Sequence, residues 1–68
     1  MSWRTGVKMF REMWPIMEKH LANDDEQWRV EFLAELLGVF LACDVDSLDL
    51  ERIHPEIDRA LKIANPPL

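Results

Sequence analysis

The 68-residue sequence lacks the residues with which very small proteins reinforce a small core. It contains one cysteine, Cys43, so no disulfide can form within the chain. A structural zinc site needs four grouped Cys, His or carboxylate ligands, and no such grouping is evident. A domain of this size buries only ~60% of the surface that its unfolded chain exposes. Association with another chain is the remaining source of stability.

Strand signals are also scarce. The sequence has two glycines, no tyrosine and few alternating β-branched runs, which leaves little room for a sheet. Hydrophobic residues nevertheless make up 49% of the chain, including three tryptophans and four methionines, alongside 31% charged residues. This balance is typical of a folded globular protein rather than a disordered one. We therefore predict an all-α fold.

Long hydrophobic runs are absent. Residues 36–43 form an apolar run of eight residues, whereas a membrane-spanning helix needs ~20. The start of the sequence does not have the layout of a signal peptide, and a single thiol fits a reducing compartment. The sequence therefore predicts a cytoplasmic protein with no membrane segment.

A first helix is predicted over about residues 3–22. Its apolar residues follow spacings of 4, 3, 4, 3 and 4, which keeps them on one side of a helix. They are Trp3, Val7, Phe10, Trp14, Met17 and Leu21. Pro15 falls beside this stripe, where it removes a backbone hydrogen bond and disfavours helical angles at Trp14. Either one helix bends at Pro15 or two short helices lie nearly in line.

A second helix is predicted over about residues 25–43. Asn23 with Glu26, or Asp24 with Gln27, has the spacing of a capping box at its start. Its second half is apolar nearly all round, which indicates a helix covered on more than one side.

A third helix is predicted over about residues 48–64, in one piece or broken at Pro55. The stripe Leu50, Ile53, Ile57, Leu61 and Ala64 keeps its phase across that proline. Short links favour antiparallel neighbours. The predicted fold is a small three-helix bundle, or four short helices if both prolines break the chain. We expect one domain over residues 1–68, completed by oligomerisation.

A strip of small residues runs along the second helix. Ala34, Gly38 and Ala42 are four residues apart, so another helix backbone could approach closely there. Glycine within a helix costs ~1 kcal/mol relative to alanine. We therefore predict helix packing on this strip by the first helix, the third helix or a second copy of this one, although an exposed glycine is the simpler alternative.

Catalytic and metal-binding patterns are weak. Asp44, Asp46 and Asp49 resemble the start of a calcium loop, but Leu48 and Pro55 occupy positions where that pattern needs ligands. Capping of a short helical turn by Asp46 or Ser47 explains these residues better. His20, His54 and Cys43 are not spaced to act together. We predict no catalytic residues, no metal and no cofactor.

Charge is unevenly distributed along the chain. The net charge is +2 over residues 1–22, −8 over residues 23–51 and +1 over the rest, which sums to −5. Pairing of the basic and acidic helices would orient an antiparallel hairpin. The predicted pairs join Arg4 and Lys8 to Asp44 and Asp46, and Arg11 to Glu35. The same acidity disfavours binding to a membrane surface or to nucleic acid.

Large apolar side chains outnumber those that three short helices can enclose. Tryptophan and methionine are favoured at protein interfaces, so we predict a small acidic interaction protein that binds a larger protein. A homodimeric regulator or inhibitor, of the kind that phages and mobile elements carry, fits this size. The predicted partner-binding residues are Trp3, Phe10, Met13, Trp14, Met17 and Trp28. An acidic edge that steers the encounter is predicted at Asp24, Asp25, Glu31 and Glu35.

Two alternatives remain from other functional classes. An acidic helical surface could imitate DNA and block a nucleic-acid-binding enzyme, although −5 is a modest charge for that role. Its charges would be Asp24, Glu31, Glu35, Asp44, Asp46 and Asp49. Alternatively, Arg52, Arg59 and Lys62 could line a small helix-turn-helix-like nucleic-acid binder.

Overall fold

The computed structural model describes residues 3–66, and every regular element in that range is helical. Helix α1 spans Arg4–Leu21, α2 spans Glu26–Ala42 and α3 spans Pro55–Ala64. A short 3₁₀ turn, Ser47–Leu50, lies in the connection between α2 and α3. The prediction of a small all-α bundle is confirmed.

Helix α1 runs through Pro15 without interruption. A proline inside a helix costs ~3 kcal/mol because it removes a hydrogen bond and crowds the preceding turn. The cost is offset because side chains on both sides of the proline pack into one core. Phe10 and Trp14 are buried before it, and Met17 packs against the core after it. Of the two predicted possibilities, the structure shows the continuous helix.

Helix α2 begins with a side-chain cap at Asp25. Its carboxylate oxygen Oδ2 accepts hydrogen bonds from the backbone amides of Gln27 at 3.1 Å and Trp28 at 3.3 Å. The predicted caps at Asn23 and Asp24 are wrong, because both residues lie in the turn before the helix. A cap must immediately precede the first helical residue to reach the free amides of the first turn.

Helix α2 ends in a Schellman motif that also fastens the start of α1. Asp44 adopts a left-handed conformation with φ 68°. Its amide donates to the carbonyl of Leu41, and the amide of Val45 donates to the carbonyl of Phe40. The carbonyl of Asp44 accepts a 2.7 Å hydrogen bond from the amide of Trp3. The first turn of α1 is thereby tied to the last turn of α2.

The third predicted helix is divided into the 3₁₀ turn and α3. Asp46 caps the 3₁₀ turn, as predicted, by accepting from the amide of Leu48 at 3.0 Å. Pro55 occupies the first position of α3, where its fixed φ is favourable. His54 caps α3 because its Nδ1 accepts a 3.1 Å hydrogen bond from the amide of Glu56.

Helices α1 and α2 form an antiparallel hairpin, but α2 and α3 are not antiparallel. The first turns of α2 and α3 lie at the same end of the molecule, where Arg29 pairs with Glu56 at 2.6 Å and Arg59 pairs with Glu26 at 2.5 Å. The prediction that all neighbouring helices are antiparallel is therefore wrong. Because residues 43–54 form a long connection instead of helix, the chain returns along α2 before α3 begins.

The core lies between the three helices and the 3₁₀ turn. It contains most of the predicted apolar stripes of α1 and α3, and one side of α2. Its buried hydrophobic members are Val7, Phe10, Trp14, Leu33, Ala34, Leu37, Phe40, Val45, Leu50, Ile57, Ala60 and Leu61. The backbones of α2 and α3 approach most closely, and the small side chains of Ala34 and Ala60 fit this approach.

The ion pairs predicted between α1 and α2 are wrong within residues 3–66. They joined Arg4 and Lys8 to Asp44 and Asp46, and Arg11 to Glu35. The side of α1 that carries Arg11 faces the 3₁₀ turn instead, where its guanidinium donates to the carbonyl of Asp49 at 3.3 Å. Glu35 lies exposed on α2.

Arg29 supplies the polar contacts between α2 and α3. Its side chain also donates to the carbonyl of Asp24. The hydrogen bond to Glu56 raises the pKa of Arg29 above its ordinary value, while partial desolvation opposes that rise. The guanidinium therefore stays charged at any pH at which the protein would be studied.

Candidate interaction surface

Exposed hydrophobic side chains are the most informative feature of the surface. Among residues 3–66, eight large hydrophobic side chains are at least 37% exposed, and five of these belong to one side of the α1–α2 hairpin. The eight are Trp3, Met9, Ile16, Trp28, Phe32, Val39, Leu48 and Ile63.

Helix α2 carries a second apolar line outside the core. Successive residues of a helix are separated by about 100° around its axis. By this measure Phe32 and Val39 lie about 80–100° to one side of the buried Phe40, whereas the core residues Ala34 and Leu41 lie about 100–120° to the other side. Val39 is 61% exposed and Phe32 is 37% exposed. One side of α2 faces the core while this second line faces solvent.

Helix α1 shows the same division. Met9 and Ile16 lie about 100–120° to one side of the buried Phe10. Arg11 and Glu18 lie on the other side, where they contact the connection that leads to α3. Met9 is 44% exposed and Ile16 is 62% exposed.

The two exposed lines face the same direction. Phe10 and Phe40 join α1 to α2 edge to face, with ring centroids 5.4 Å apart. Because α3 and its connection cover one flank of this hairpin, the other flanks of both helices point the opposite way. We call this surface the α1–α2 face. It consists of Met9, Met13, Ile16, Trp28, Phe32, Leu36 and Val39.

An aromatic pair lies at one end of the α1–α2 face. The rings of Trp28 and Phe32 are stacked, with centroids 5.6 Å apart and planes 4° from parallel. Trp28 is 50% exposed even in this arrangement. Stacking fixes the two rings before any partner arrives, which lowers the entropy cost of covering them. Rigid, half-exposed aromatic residues of this kind are typical binding hot spots.

Exposed carboxylates border the α1–α2 face on α2. Glu31 and Glu35 lie along its outer edge, which we call the α2 rim. The α2 rim is net negative.

The molecule is flat, and its surface is large for its mass. Its principal extents are 37 × 28 × 18 Å. The chain exposes 4993 Å², whereas the relation between area and mass gives ~4,450 Å² for a compact monomer of 8.0 kDa.

The structure separates the predicted partner-binding residues into three groups, which are buried, partly buried and exposed. Phe10 and Trp14 are buried in the core, so neither is available to a partner of the folded chain. Trp3 is 37% exposed but packs on Phe40, with ring centroids 6.1 Å apart. Trp28 is on the surface.

Met13 and Met17 are partly buried at the edge of the core. Sequence reasoning left Phe32, Leu36 and Val39 out of the partner-binding set. After Trp28, these residues follow one another at intervals of 4, 4 and 3 residues. This helical spacing was the signal that could have identified the α1–α2 face.

The three residues of the predicted small-residue strip differ in their exposure to solvent. Ala34 is buried, Gly38 is partly exposed and Ala42 is exposed. A Cβ built on Gly38 would meet no atom within 4 Å among the described residues outside its own helix backbone. Neither α1 nor α3 packs on Gly38, so packing by a second copy stays a prediction.

The predicted acidic edge is exposed, but the six charges of a DNA mimic are not contiguous. Asp24, Asp25, Glu31 and Glu35 are all exposed on the turn before α2 and on α2 itself. Asp49 lies instead beside Arg4, Lys8 and Arg11, around a shallow cleft next to α1. Among the basic residues predicted for nucleic-acid binding, the side chain of Arg59 pairs with Glu26, and the backbone amide of Arg52 donates to Asp58.

A cleft of about 350 Å³ lies beside Trp14, between the start of α2 and the start of α3. The polar side chains that line this cleft pair with one another. His54 Nε2 lies 3.3 Å from Glu18, and its ring lies against Trp14 with centroids 5.1 Å apart. Arg29 and Glu56 form the pair described above. These contacts hold the helices together, and within residues 3–66 every buried side-chain nitrogen or oxygen atom has a hydrogen-bond partner.

Two further observations concern the chemistry of residues 3–66. No three His, Cys, Asp or Glu side chains in this range come together in a way that could hold a metal ion. No helix in it is long and apolar enough to cross a membrane. Cys43 is exposed at the end of α2.

Comparisons with protein-family models, with curated proteins and with solved structures found no match to this chain.

Proposed function

We propose that this chain is a protein–protein interaction module whose α1–α2 face binds a larger protein. The observation that carries the proposal is the solvent exposure of five large hydrophobic side chains on one side of a two-helix hairpin. Contiguous apolar patches of this kind mark interaction sites in small proteins. In this proposal the protein is a regulator or an inhibitor of cytoplasmic location, and its size suits a product of a phage or mobile element.

The composition of the face indicates the kind of partner. Methionine adapts to irregular apolar surfaces, while the stacked Trp28 and Phe32 provide a rigid anchor. A partner that offers an apolar helix or groove, with basic residues opposite Glu31 and Glu35, would match both the face and the α2 rim. The acidic rim would then increase the rate of encounter more than the affinity.

The experiment is site-specific photo-crosslinking in the cell that carries the protein. A photoreactive amino acid at Val39 places the probe on the α1–α2 face. The same probe at Ile63 is the matched control, because Ile63 is 57% exposed but lies on α3 away from the face. We expect a protein that is captured from Val39 and not from Ile63, and that is identified by mass spectrometry.

Binding measurements with the captured protein complete the test. We expect Val39→Asp to raise its Kd at least about tenfold, because an unpaired charge would be buried. Ile63→Asp should leave the Kd unchanged, and salt should have little effect. Equal capture at both positions would refute the proposal. A steep fall in affinity with salt would refute it in favour of an electrostatic mimic of DNA.

A further inference from the structure

We infer that His54 is a pH-dependent connector between α3 and α1. With no proton on Nδ1 its ring caps α3, and with a proton there it releases that cap and pairs with Glu18 of α1. The device does not involve the α1–α2 face, so it goes beyond the proposed function and does not rest on it. It rests on two contacts that the two ring nitrogens of His54 make at the same time.

The two ring nitrogens of His54 face groups of opposite character. Nδ1 accepts a 3.1 Å hydrogen bond from the amide of Glu56, which requires that Nδ1 carries no proton. The proton of the neutral ring is therefore on Nε2. Nε2 lies 3.3 Å from the carboxylate oxygen Oε2 of Glu18, a group that can only accept hydrogen bonds when it is ionised. These surroundings select a single tautomer of the neutral imidazole.

Protonation of the ring affects the two contacts in opposite ways. A proton on Nδ1 points at the amide hydrogen of Glu56, so two donors face each other and the cap is lost. On the other side, the charged ring attracts the carboxylate of Glu18 more strongly than the neutral ring does. The ring therefore gives up its contact with α3 and keeps its contact with α1. Histidine ordinarily changes its charge between about pH 5 and about pH 8, so the change lies in the physiological range.

The other charged groups around His54 also disfavour a protonated cap. Arg29 of α2 and Arg59 of α3 line the same cleft, and the first turn of α3 carries the positive end of its helix dipole. Glu56 lines the cleft too, but its carboxylate is held by Arg29 at 2.6 Å. Among the residues that line this cleft, Glu18 is therefore the carboxylate that remains for a charged ring.

The released segment is the first turn of α3 and not the whole helix. The pairs Arg29–Glu56 and Arg59–Glu26 do not depend on the proton of His54, and they continue to join α3 to α2. Further along α3, Ile57 is fully buried in the core. Acidification should therefore loosen the start of α3 without unfolding the chain.

Nuclear magnetic resonance of the whole chain tests the release of the cap. On acidification from about pH 8 to about pH 5, the amide proton of Glu56 should change its chemical shift in step with protonation of the His54 ring. His54→Asn is the matched control, because asparagine can cap a helix but takes up no proton. His20 still titrates in that variant, and the amide of Glu56 should then keep its shift.

Amide hydrogen exchange supplies the magnitude of the effect. At about pH 5, the amide of Glu56 should exchange about fivefold faster in the wild type than in His54→Asn, which is the factor expected for one lost cap. At about pH 8 the two rates should agree, because both side chains cap the helix. Pro55 precedes Glu56 in both chains, so the substitution leaves the residue next to this amide unchanged.

The ring of His54 can also be followed from Trp14, against which it lies with ring centroids 5.1 Å apart. In a chain with Trp3→Phe and Trp28→Phe, emission comes from Trp14 alone. This emission should change with the same midpoint as the shift of the Glu56 amide. With His54→Asn added, it should no longer depend on pH in that range.

The contact with α1 has its own readout. The carboxylate carbon of Glu18 should change its chemical shift as the His54 ring becomes charged, because the new charge lies beside it. Glu31, which is exposed on α2, is the control and should not respond to the same step. A Glu18 signal that does not respond would overturn the pairing of the charged ring with α1.

Three further outcomes would overturn the inference. The first is an amide of Glu56 that keeps its shift and its exchange rate while the His54 ring takes up a proton. The second is a ring that remains neutral down to about pH 5, and the third is a pH response that persists in His54→Asn. None of them bears on photo-capture from Val39, so failure of the connector and failure of the proposed function are distinguishable.

Discussion

Replacement of glycine by alanine should have opposite effects at the two helical glycines of this protein. A Cβ on Gly6, in the first turn of α1, would lie 2.3–2.8 Å from atoms of the Trp3 ring. A Cβ on Gly38, within α2, would have open space around it. We therefore expect Gly6→Ala to destabilise the fold and Gly38→Ala to stabilise it.

The magnitudes follow from these surroundings. At Gly38 the gain is the helix propensity of alanine over glycine, ~1 kcal/mol, because no neighbouring atom must move. At Gly6 the methyl group would push the Trp3 ring away from Phe40. The lost aromatic pair and the overpacking together destabilise the fold by ~1.5–3 kcal/mol. The better helix propensity of alanine offsets less than ~1 kcal/mol of this loss. The net loss should be ~1–2 kcal/mol.

Thermal unfolding followed by circular dichroism at one protein concentration measures both effects. For a domain of this size, 1 kcal/mol corresponds to a change in Tm of ~4–8 °C. We expect Tm to fall for Gly6→Ala, with altered tryptophan emission, and to rise for Gly38→Ala. An unchanged Tm and emission for Gly6→Ala would refute the position of the Trp3 ring. A lower Tm for Gly38→Ala would contradict the open space around Gly38.

Three further predictions concern caps and ion pairs. Asp44→Gly should stabilise the fold by ~0.5–1 kcal/mol in denaturant unfolding, because glycine tolerates the left-handed conformation; destabilisation would contradict that backbone geometry. His54→Ala should destabilise the fold by ~1 kcal/mol because it removes the cap of α3, whereas His54→Asn should keep most of the stability because asparagine can also cap a helix. Equal losses of stability in the two variants would argue against capping. Glu56→Gln should lower Tm more than Glu31→Gln, because Glu56 is buried beside Arg29 and Glu31 is exposed.

Apolar periodicity was enough to predict α1 and, within a longer predicted range, α3. The stripe that includes Phe10 and Trp14 stayed in phase across Pro15, and the structure shows one helix there. Side chains that share one side of a helix can be buried together, and this burial offsets the local cost of proline. The cap at Asp46 and the position of Pro55 also followed from local chemistry.

The local signals were less accurate at the start of α2. Asn23, Asp24 and Asp25 are all competent caps, and only the position of the first helical residue distinguishes them. Local patterns did not predict the direction of α3 either. That direction depends on the connection over residues 43–54, part of which the sequence pattern predicted to be helical.

Only the tertiary structure decided which apolar side chains are buried and which remain available. The second half of α2 is apolar nearly all round, so its sequence permits either Leu37 or Val39 to face the core. Packing of α1 and α3 buried Leu37 and left Val39 exposed. The same packing enclosed Phe10 and Trp14, which had the composition of partner-binding residues. The hydrophobic effect favours burial of an apolar side chain but does not specify which surface buries it. The arrangement of the helices therefore determines which side chains are buried.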